Sequence, residues 1–440
     1  MTHPVMKLLM SAFSCGPGWG SEPGIGWNTV EQASKNHEVW VMTEAGWRER
    51  MGDKFDEAAH PRVHFVWVKI PVLDKLVDGG PLNNGIGWLV YYYLWQFAAL
   101  RAARRLHAEH QFDLAHHVTF GKHSVPSLLY RLGIPFVFGP VGGAETAPAA
   151  RFYAEFGWKA RLAETLRVVH LRLARLDPWL RACVRRAILC LGVTRESAAE
   201  LRVLGARNAE VLPAISLPDE EAEELRESAS GRDGSGDRST LPGTNMGGAE
   251  GVSQTLTLLF VGRLLAWKGV HLAIRALARC GRPELRLRVL GDGPARGHLE
   301  ALAEEMGVAL QVEFCGSVPR EEALRATAEA DGLLFPSLHD SGGYAVIEAM
   351  AAGRPIICLA LGGPGQYVDA TCGWRVEARE PEQTVAGLAH ALEEFARSKE
   401  ERVRRGTAAR ERCLRLYTAS AHGQEMERWY QAAMAAGEAP

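Results

Sequence analysis

Short apolar runs, most of them closed by a glycine turn, set the rhythm of this chain. Met6–Met10, His37–Met42, Phe112–Phe120, Ile134–Phe138 and Ala187–Thr194 are close to continuously apolar rather than alternating, as expected of parallel strands buried on both faces. Segments with helical spacing separate them, the first running to about Lys35. Strand and helix in alternation predict a doubly wound α/β domain, which Val211–Ile215 closes. The rhythm resumes at Thr255–Val261 and continues through Leu287–Leu290, Val312–Cys315, Gly332–Phe335 and Ile356–Leu359. A second domain of the same class is therefore expected.

The length agrees, since 440 residues exceed one ordinary core. The expected boundaries are 1–217 for the first domain, 218–254 for a Gly- and Ser-rich linker or insertion, and 255–420 for the second domain. A last helix, Ala421 to Ala435, completes the stretch 421–440.

Composition mainly excludes. A net charge of -2 gives no argument for a nucleic-acid partner. Eight cysteines without CxxC or CxxH spacing suggest neither a zinc site nor a disulfide framework. The first residues show no basic segment, apolar core and cleavage site in series, and no long charge-free apolar run predicts a spanning helix. A reducing, cytoplasmic setting is expected. Two stretches keep alternatives open. Gly79 to Leu100 carries no charge and places Leu89, Val90, Tyr93, Leu94, Phe97 and Leu100 at helical spacing, as either a core helix or an apolar acceptor surface. Trp158 to Ala187 is basic and amphipathic, either a solvated face or a face for anionic lipid at the inner side of a membrane.

Candidate chemistry concentrates in the second half. Phe335 to Ile357 reads as strand, glycine loop, helix and strand, an arrangement that aims helix N–H groups at an anion. Asp340 precedes the loop Ser341-Gly342-Gly343, and Glu348 lies eight residues beyond Asp340 within the helix. Arg263 and Lys268, five apart after the strand Thr255–Val261, can converge on one diphosphate. In the first half, the loop Gly16 to Gly24 follows the first strand without GxGxxG spacing, and His116 and His117 lie in a strand. Gly139 to Glu145 forms a glycine turn ending in an acid.

The Gly262-Arg263…Lys268-Gly269 segment, the Gly291-Asp292-Gly293-Pro294 turn and the Asp340/Glu348 pair followed by Ala349 to Pro355 together resemble the family 4 (group 1) retaining glycosyltransferases of GT-B fold. That resemblance implies two Rossmann-like domains facing across a cleft, with the C-terminal helix returning to the first. It also implies a nucleotide-sugar donor, UDP- or GDP-linked, held by the second domain without a further cofactor or a metal. Arg263 and Lys268 would hold the phosphates, and Asp340, where the family more often has Glu, would lie near the donor sugar. Glu348 would bind the ribose, with Gly316 and Val318 beside the base and Ser341, Gly342 and Gly343 in the donor loop. Backbone N–H near Gly20 and Ser21 would meet the donor's terminal phosphate. The family pattern Asp-x-x-His-x-His places His116 at its first histidine and Val118 at its second, so His116 and His117 both remain catalytic candidates. Glu145 would lie on the acceptor side. A carbohydrate or lipid-linked acceptor, in surface polysaccharide or glycolipid biosynthesis, is the expected partner, with peripheral contact to an anionic membrane. Rival readings are a nucleotide-sugar epimerase or hydrolase of the same fold, or a nicotinamide-dependent oxidoreductase. The last would need the GxGxxG turn that both first strands lack.

Overall fold

The computed structural model describes residues 4–70, 85–145, 149–233 and 255–437. It divides into two compact units, the first being Met1–Glu145, Leu166–Ser216 and Ala419–Pro440, the second Thr146–Thr165 and Leu217–Thr418.

The first unit is built on seven strands: β1 (Lys7–Ala12), β2 (Glu38–Glu44), β3 (Val63–Val68), β4 (Leu114–Thr119), β5 (Phe136–Val141), β6 (Leu189–Gly192) and β7 (Ala209–Val211). All pairings are parallel, in the order β3-β2-β1-β4-β5-β6-β7. Pleating sends alternate side chains to opposite faces. Leu8 and Met10 therefore join one core with Trp27 and Tyr430, while Leu9 joins another with Tyr92, Trp95 and Phe138. The helix Ala419–Gly437 belongs to this unit and packs along the helix Ser21–Ser34.

The second unit holds six parallel strands, β8 (Leu256–Val261), β9 (Leu285–Leu290), β10 (Val312–Gly316), β11 (Gly332–Phe335), β12 (Ile356–Leu359) and β13 (Gly373–Val376). Their order is β10-β9-β8-β11-β12-β13.

Three segments depart from the sequence reading. Part of the expected linker, Asp219–Asp233, is a helix of the second unit and packs on the helices Arg320–Glu329 and Tyr344–Ala351. Its Ala222, Leu225 and Ala229 are buried at helical spacing within a charged sequence; the rest of that stretch lies outside the described residues. Thr146–Thr165 also belongs to the second unit. Arg275 holds it through Glu155, at 2.8 Å. The helix Gly85–His110 divides the expected stripe, with Leu100 buried and Leu89 and Tyr93 half-buried. Tyr91, Tyr92 and Trp95 are buried, and Val90, Leu94 and Phe97 are exposed. Residues 88–100 are apolar almost all round, so spacing could not choose a face. The larger aromatic surface gains more by burial. Trp95 fixes the choice, donating from Nε1 to the Val68 carbonyl at 3.2 Å while Phe13 meets its ring edge-on at 5.1 Å. The part of this stretch before Gly85 lies outside the described residues.

Candidate active site

In the second sheet the strand order reverses between β8 and β11. Open α/β sheets bind ligands beyond the carboxyl ends of strands at such a point. Here the loops after β8 and β11 are sewn together. The Leu338 N–H donates to the Trp267 carbonyl at 2.8 Å. Gly269, at φ +72, leaves no room for a Cβ against the Pro336 carbonyl. This docking brings two residues 72 positions apart into an ion pair, Lys268 Nζ donating to Asp340 Oδ2. Each is only 14% exposed. The ammonium also lies 4.6 Å from the Trp267 ring centroid and 5.2 Å from that of Phe335. Trp267 stacks on His339 at 4.3 Å, and His339 Nε2 lies 3.1 Å from Glu164 Oε1. Arg263, just after β8, is exposed, and its guanidinium has no hydrogen bond or ion pair among the described residues.

Past Asp340 the backbone stays fixed, the Gly363 N–H donating to the Asp340 carbonyl at 2.8 Å. The Tyr367 hydroxyl reaches the Ser341 carbonyl at 3.4 Å, and Gly342 is partly buried. Gly343, at φ +95, starts the helix Tyr344–Ala351, which has no side-chain cap. Its first N–H groups therefore carry the helix's positive end without a capping side chain.

Glu348 is buried on that helix, with Arg320 Nη1 2.9 Å from its Oε1. Arg320 also pairs with Glu221 at 2.5 Å. Burial pushes the Glu348 carboxyl above its ordinary range; Arg320 opposes this and Glu221 adds to it. Arg320 opens the helix that follows Gly316 and Val318, both partly buried. The Gly316 carbonyl accepts from the Gly291 N–H at 2.7 Å, tying the turn after β10 to the Gly291–Pro294 turn. Sequence reading missed Arg320 and Glu221. Each lies in a charged helical stretch that looks like a solvated face, and only the fold sets them beside Glu348.

The first sheet reverses between β1 and β4. Gly20 and Ser21 are exposed at the loop after β1, Ser21 at φ +58, and the helix Ser21–Ser34 has no side-chain cap. Glu22, which the sequence reading placed only within the loop, crosses the reversal. Its Oε1 accepts from the Gly121 N–H after β4 at 2.5 Å. Burial raises its carboxyl above the usual range, while the Gly121 N–H and Lys122 pull it down.

The pleat separates the two histidines. His116 points into the core shared with the C-terminal helix, its Nδ1 2.8 Å from the Tyr430 hydroxyl and its Nε2 2.6 Å from the Gly139 carbonyl. Both nitrogens are engaged, and burial lowers its pKa to about 3. His117 lies on the other face, stacked on Phe138 at 5.2 Å. Its Nε2 lies 3.2 Å from the Phe120 carbonyl, and its buried Nδ1 has no hydrogen-bond partner among the described residues. Burial lowers its pKa to about 4. Both rings are neutral near pH 7. His116 reads as a support for the fold, whereas His117 keeps one lone pair unused.

Both carboxylate oxygens of Glu145 are also engaged. Oε1 accepts from the Thr194 and Ser197 hydroxyls at 2.6 and 2.8 Å, and Oε2 from the Gly143 N–H at 2.8 Å. This ties the turn after β5 to the start of the helix Arg195–Leu204, whose cap is Thr194. Glu145 thus shapes the turn from within, both of its oxygens accepting from the chain.

Among the described residues no group of three or more His, Cys, Asp or Glu side chains is placed to hold a metal ion. All eight cysteines are free.

Residues 250–412 match the family described as glycosyl transferases group 1. The chain is 33% identical over 189 residues to a D-inositol 3-phosphate glycosyltransferase of Corynebacterium aurimucosum, 41% of this chain and 44% of that one. It is 38% identical over 107 residues to a 2-deoxystreptamine glucosyltransferase of Streptomyces kanamyceticus, 24% of this chain and 27% of that one. The chain thus spans less than half the length of these curated relatives. Two solved structures share its fold along nearly all of both chains. WaaG, a glycosyltransferase involved in lipopolysaccharide biosynthesis, has a TM-score of 0.57 at 20% identity, covering 96% of this chain and 99% of its own. Anabaena HepE, solved in complex with UDP and glucose, has a TM-score of 0.56 at 15% identity, covering 97% and 100%. The architecture is that of the GT-B glycosyltransferases.

Proposed function

We infer, from a second unit that belongs to the group 1 glycosyl transferases, that this chain moves a sugar from a UDP- or GDP-linked donor to an acceptor hydroxyl. The observation that carries the reading is the Lys268–Asp340 pair held at the reversal of the second sheet, with Arg263 unpartnered in the same β8 loop. As the glycosidic bond to the diphosphate breaks, negative charge grows on the leaving phosphate. A pre-placed ammonium and guanidinium stabilise that charge most where it develops. Lys268 is held by Asp340 until phosphate arrives, so the cation needs little reorganisation on binding. Two cations in that role remove the need for a divalent ion. Asp340 then lies close to the donor sugar, and Glu348 accepts from the ribose hydroxyls.

In this reading the configuration at the anomeric carbon is retained, and the acceptor is a carbohydrate or lipid-linked carbohydrate of surface polysaccharide or glycolipid biosynthesis. The first unit would bind it, in peripheral contact with an anionic membrane. The fold shared with WaaG and HepE supports this choice of substrates. Thermal-shift titration with nucleoside diphosphates and their sugars is the direct test. Stabilisation by one base series, followed by sugar transfer with the anomer read by NMR, is the expected result. A chain that no nucleotide stabilises overturns the reading.

A further inference from the structure

More than half of the exposed large hydrophobic residues among those described lie on three helices and the turn that joins two of them. The helix Trp158–Ala174 turns Leu166, Val169 and Leu173 outward, the two leucines 59% and 58% exposed. Leu176, 72% exposed, and Trp179 continue that stripe into the helix Pro178–Arg186. The helix Gly85–His110 adds Val90, Leu94 and Phe97, spaced four and three apart on one side. These are one surface of the first unit. Phe97 meets Trp179 edge-on at 5.5 Å. The Tyr93 hydroxyl donates to Asp177 at 2.9 Å and so pins the turn between the last two helical segments beside the first. A folded monomer rarely leaves so much contiguous apolar surface to water, and such patches mark docking sites.

The flanks are basic. Arg101, Arg104 and Arg105 are exposed further along the first helix, and Arg172, Arg181, Arg185 and Arg186 along the others. Two of the acids close by are already committed, while Glu109, four residues beyond Arg105, is exposed. Asp177 accepts from Tyr93 and caps the helix Pro178–Arg186, and Glu200 pairs with Arg175 at 2.7 Å. Leucine and tryptophan on one face with arginine beside them is the composition that settles into the headgroup boundary of a bilayer. We propose that this face of the first unit docks on an anionic lipid bilayer, the leucines and Trp179 entering the headgroup boundary and the arginines meeting lipid phosphates. The proposal deepens the reading of a lipid-linked acceptor and rests on it for its purpose. A second copy of this chain is the poorer occupant, because a two-fold contact sets each arginine rim against its equal.

The test is co-sedimentation of the full chain with vesicles of phosphatidylcholine, with and without phosphatidylglycerol, at low and high salt. Binding only to the anionic vesicles, weakened by salt, is expected. Leu173→Glu with Leu176→Glu, and separately Arg172→Glu with Arg181→Glu, should each lower vesicle affinity by about tenfold or more. All four positions are exposed, so the variants should keep the parent's Tm and its thermal shift with nucleoside diphosphate. Absence of parent binding, or variants that bind like the parent, overturns the proposal. So does a dimer in analytical ultracentrifugation that the leucine variant disperses, which would assign the face to a second copy. Vesicle binding without any nucleotide response would leave the docking face standing and remove the transferase reading instead.

Discussion

Arg320 Nη1 lies 2.9 Å from the Oε1 of buried Glu348, and the same guanidinium holds Glu221 from a helix outside the matched family segment. Burial alone would leave Glu348 inclined to keep its proton. Arg320 keeps the carboxylate available to accept from a ligand. If Glu348 binds the donor as proposed, Arg320 is a positioning residue that acts through it.

Replacing Arg320 with Ala should therefore shift a pH profile. Glu348 has a folded pKa raised above its unfolded value, so its contribution to stability is full below the unfolded pKa and is lost as pH rises through the folded one. Arg320 limits that loss. Arg320→Ala should lower stability near neutral pH by roughly 1 kcal/mol, because water screens the half-exposed guanidinium. Nucleoside diphosphate affinity should fall off at a higher pH than in the parent, since the protonated acid accepts poorly. Calorimetric titration across the mildly acid range checks this. An acid limb unchanged in the variant excludes the positioning role.

The His116–Tyr430 bond makes a different kind of prediction, about folding alone. His116→Ala leaves the Gly139 carbonyl and the Tyr430 hydroxyl buried without their partner. It should cost about 1–3 kcal/mol for each stranded group. Tyr430→Phe removes one bond and should cost less. His117→Ala strands the Phe120 carbonyl and should also lower Tm, but it should cut turnover even where the variant stays folded if its free Nδ1 serves the reaction. Denaturant unfolding beside initial-rate assays separates the two.

Much of this was legible in the chain because parallel strands buried on both faces write continuous apolar runs, and because Gly262 to Gly269 and Asp340 to Pro355 carry their chemistry locally. What stayed hidden is non-local. Nothing in the sequence links Lys268 to Asp340, or Arg320 to Glu348, until the sheet sets its strands in the order β10-β9-β8-β11. His116 and His117 could not be told apart until the pleat assigned each to a face. The helix Asp219–Asp233 was obscured by its charge, although Ala222, Leu225 and Ala229 already had helical spacing. The helix Gly85–His110 was ambiguous for the opposite reason, being apolar on nearly every side.

Chelation offers a simple check on the role given to the two cations. If Arg263 and Lys268 offset the diphosphate charge, turnover should persist in excess EDTA. Abolished turnover, restored by magnesium or manganese, would transfer that role to a metal.

The Lys268–Asp340 pair allows the sharpest test, because its two members should fail differently. Lys268→Ala removes a charge-assisted contact to phosphate, worth roughly 1.5–3 kcal/mol, and should weaken nucleoside diphosphate binding by about ten- to a hundredfold. It also strands Asp340, which is 14% exposed, so part of the parent's stability should go as well. Asp340→Asn leaves Lys268 charged and released from its partner. Diphosphate binding should then be kept or improved, whereas transfer of the sugar should fall, since the acid is assigned to the sugar and not to the phosphate. Arg263→Ala should weaken diphosphate binding with little change in Tm, because the exposed guanidinium has no partner among the described residues to lose. Calorimetry, Tm and initial rates on the three variants give the pattern. Equal loss of diphosphate affinity in Lys268→Ala and Asp340→Asn would mean that the pair acts as one structural clamp, and the division of labour between cation and acid would be wrong.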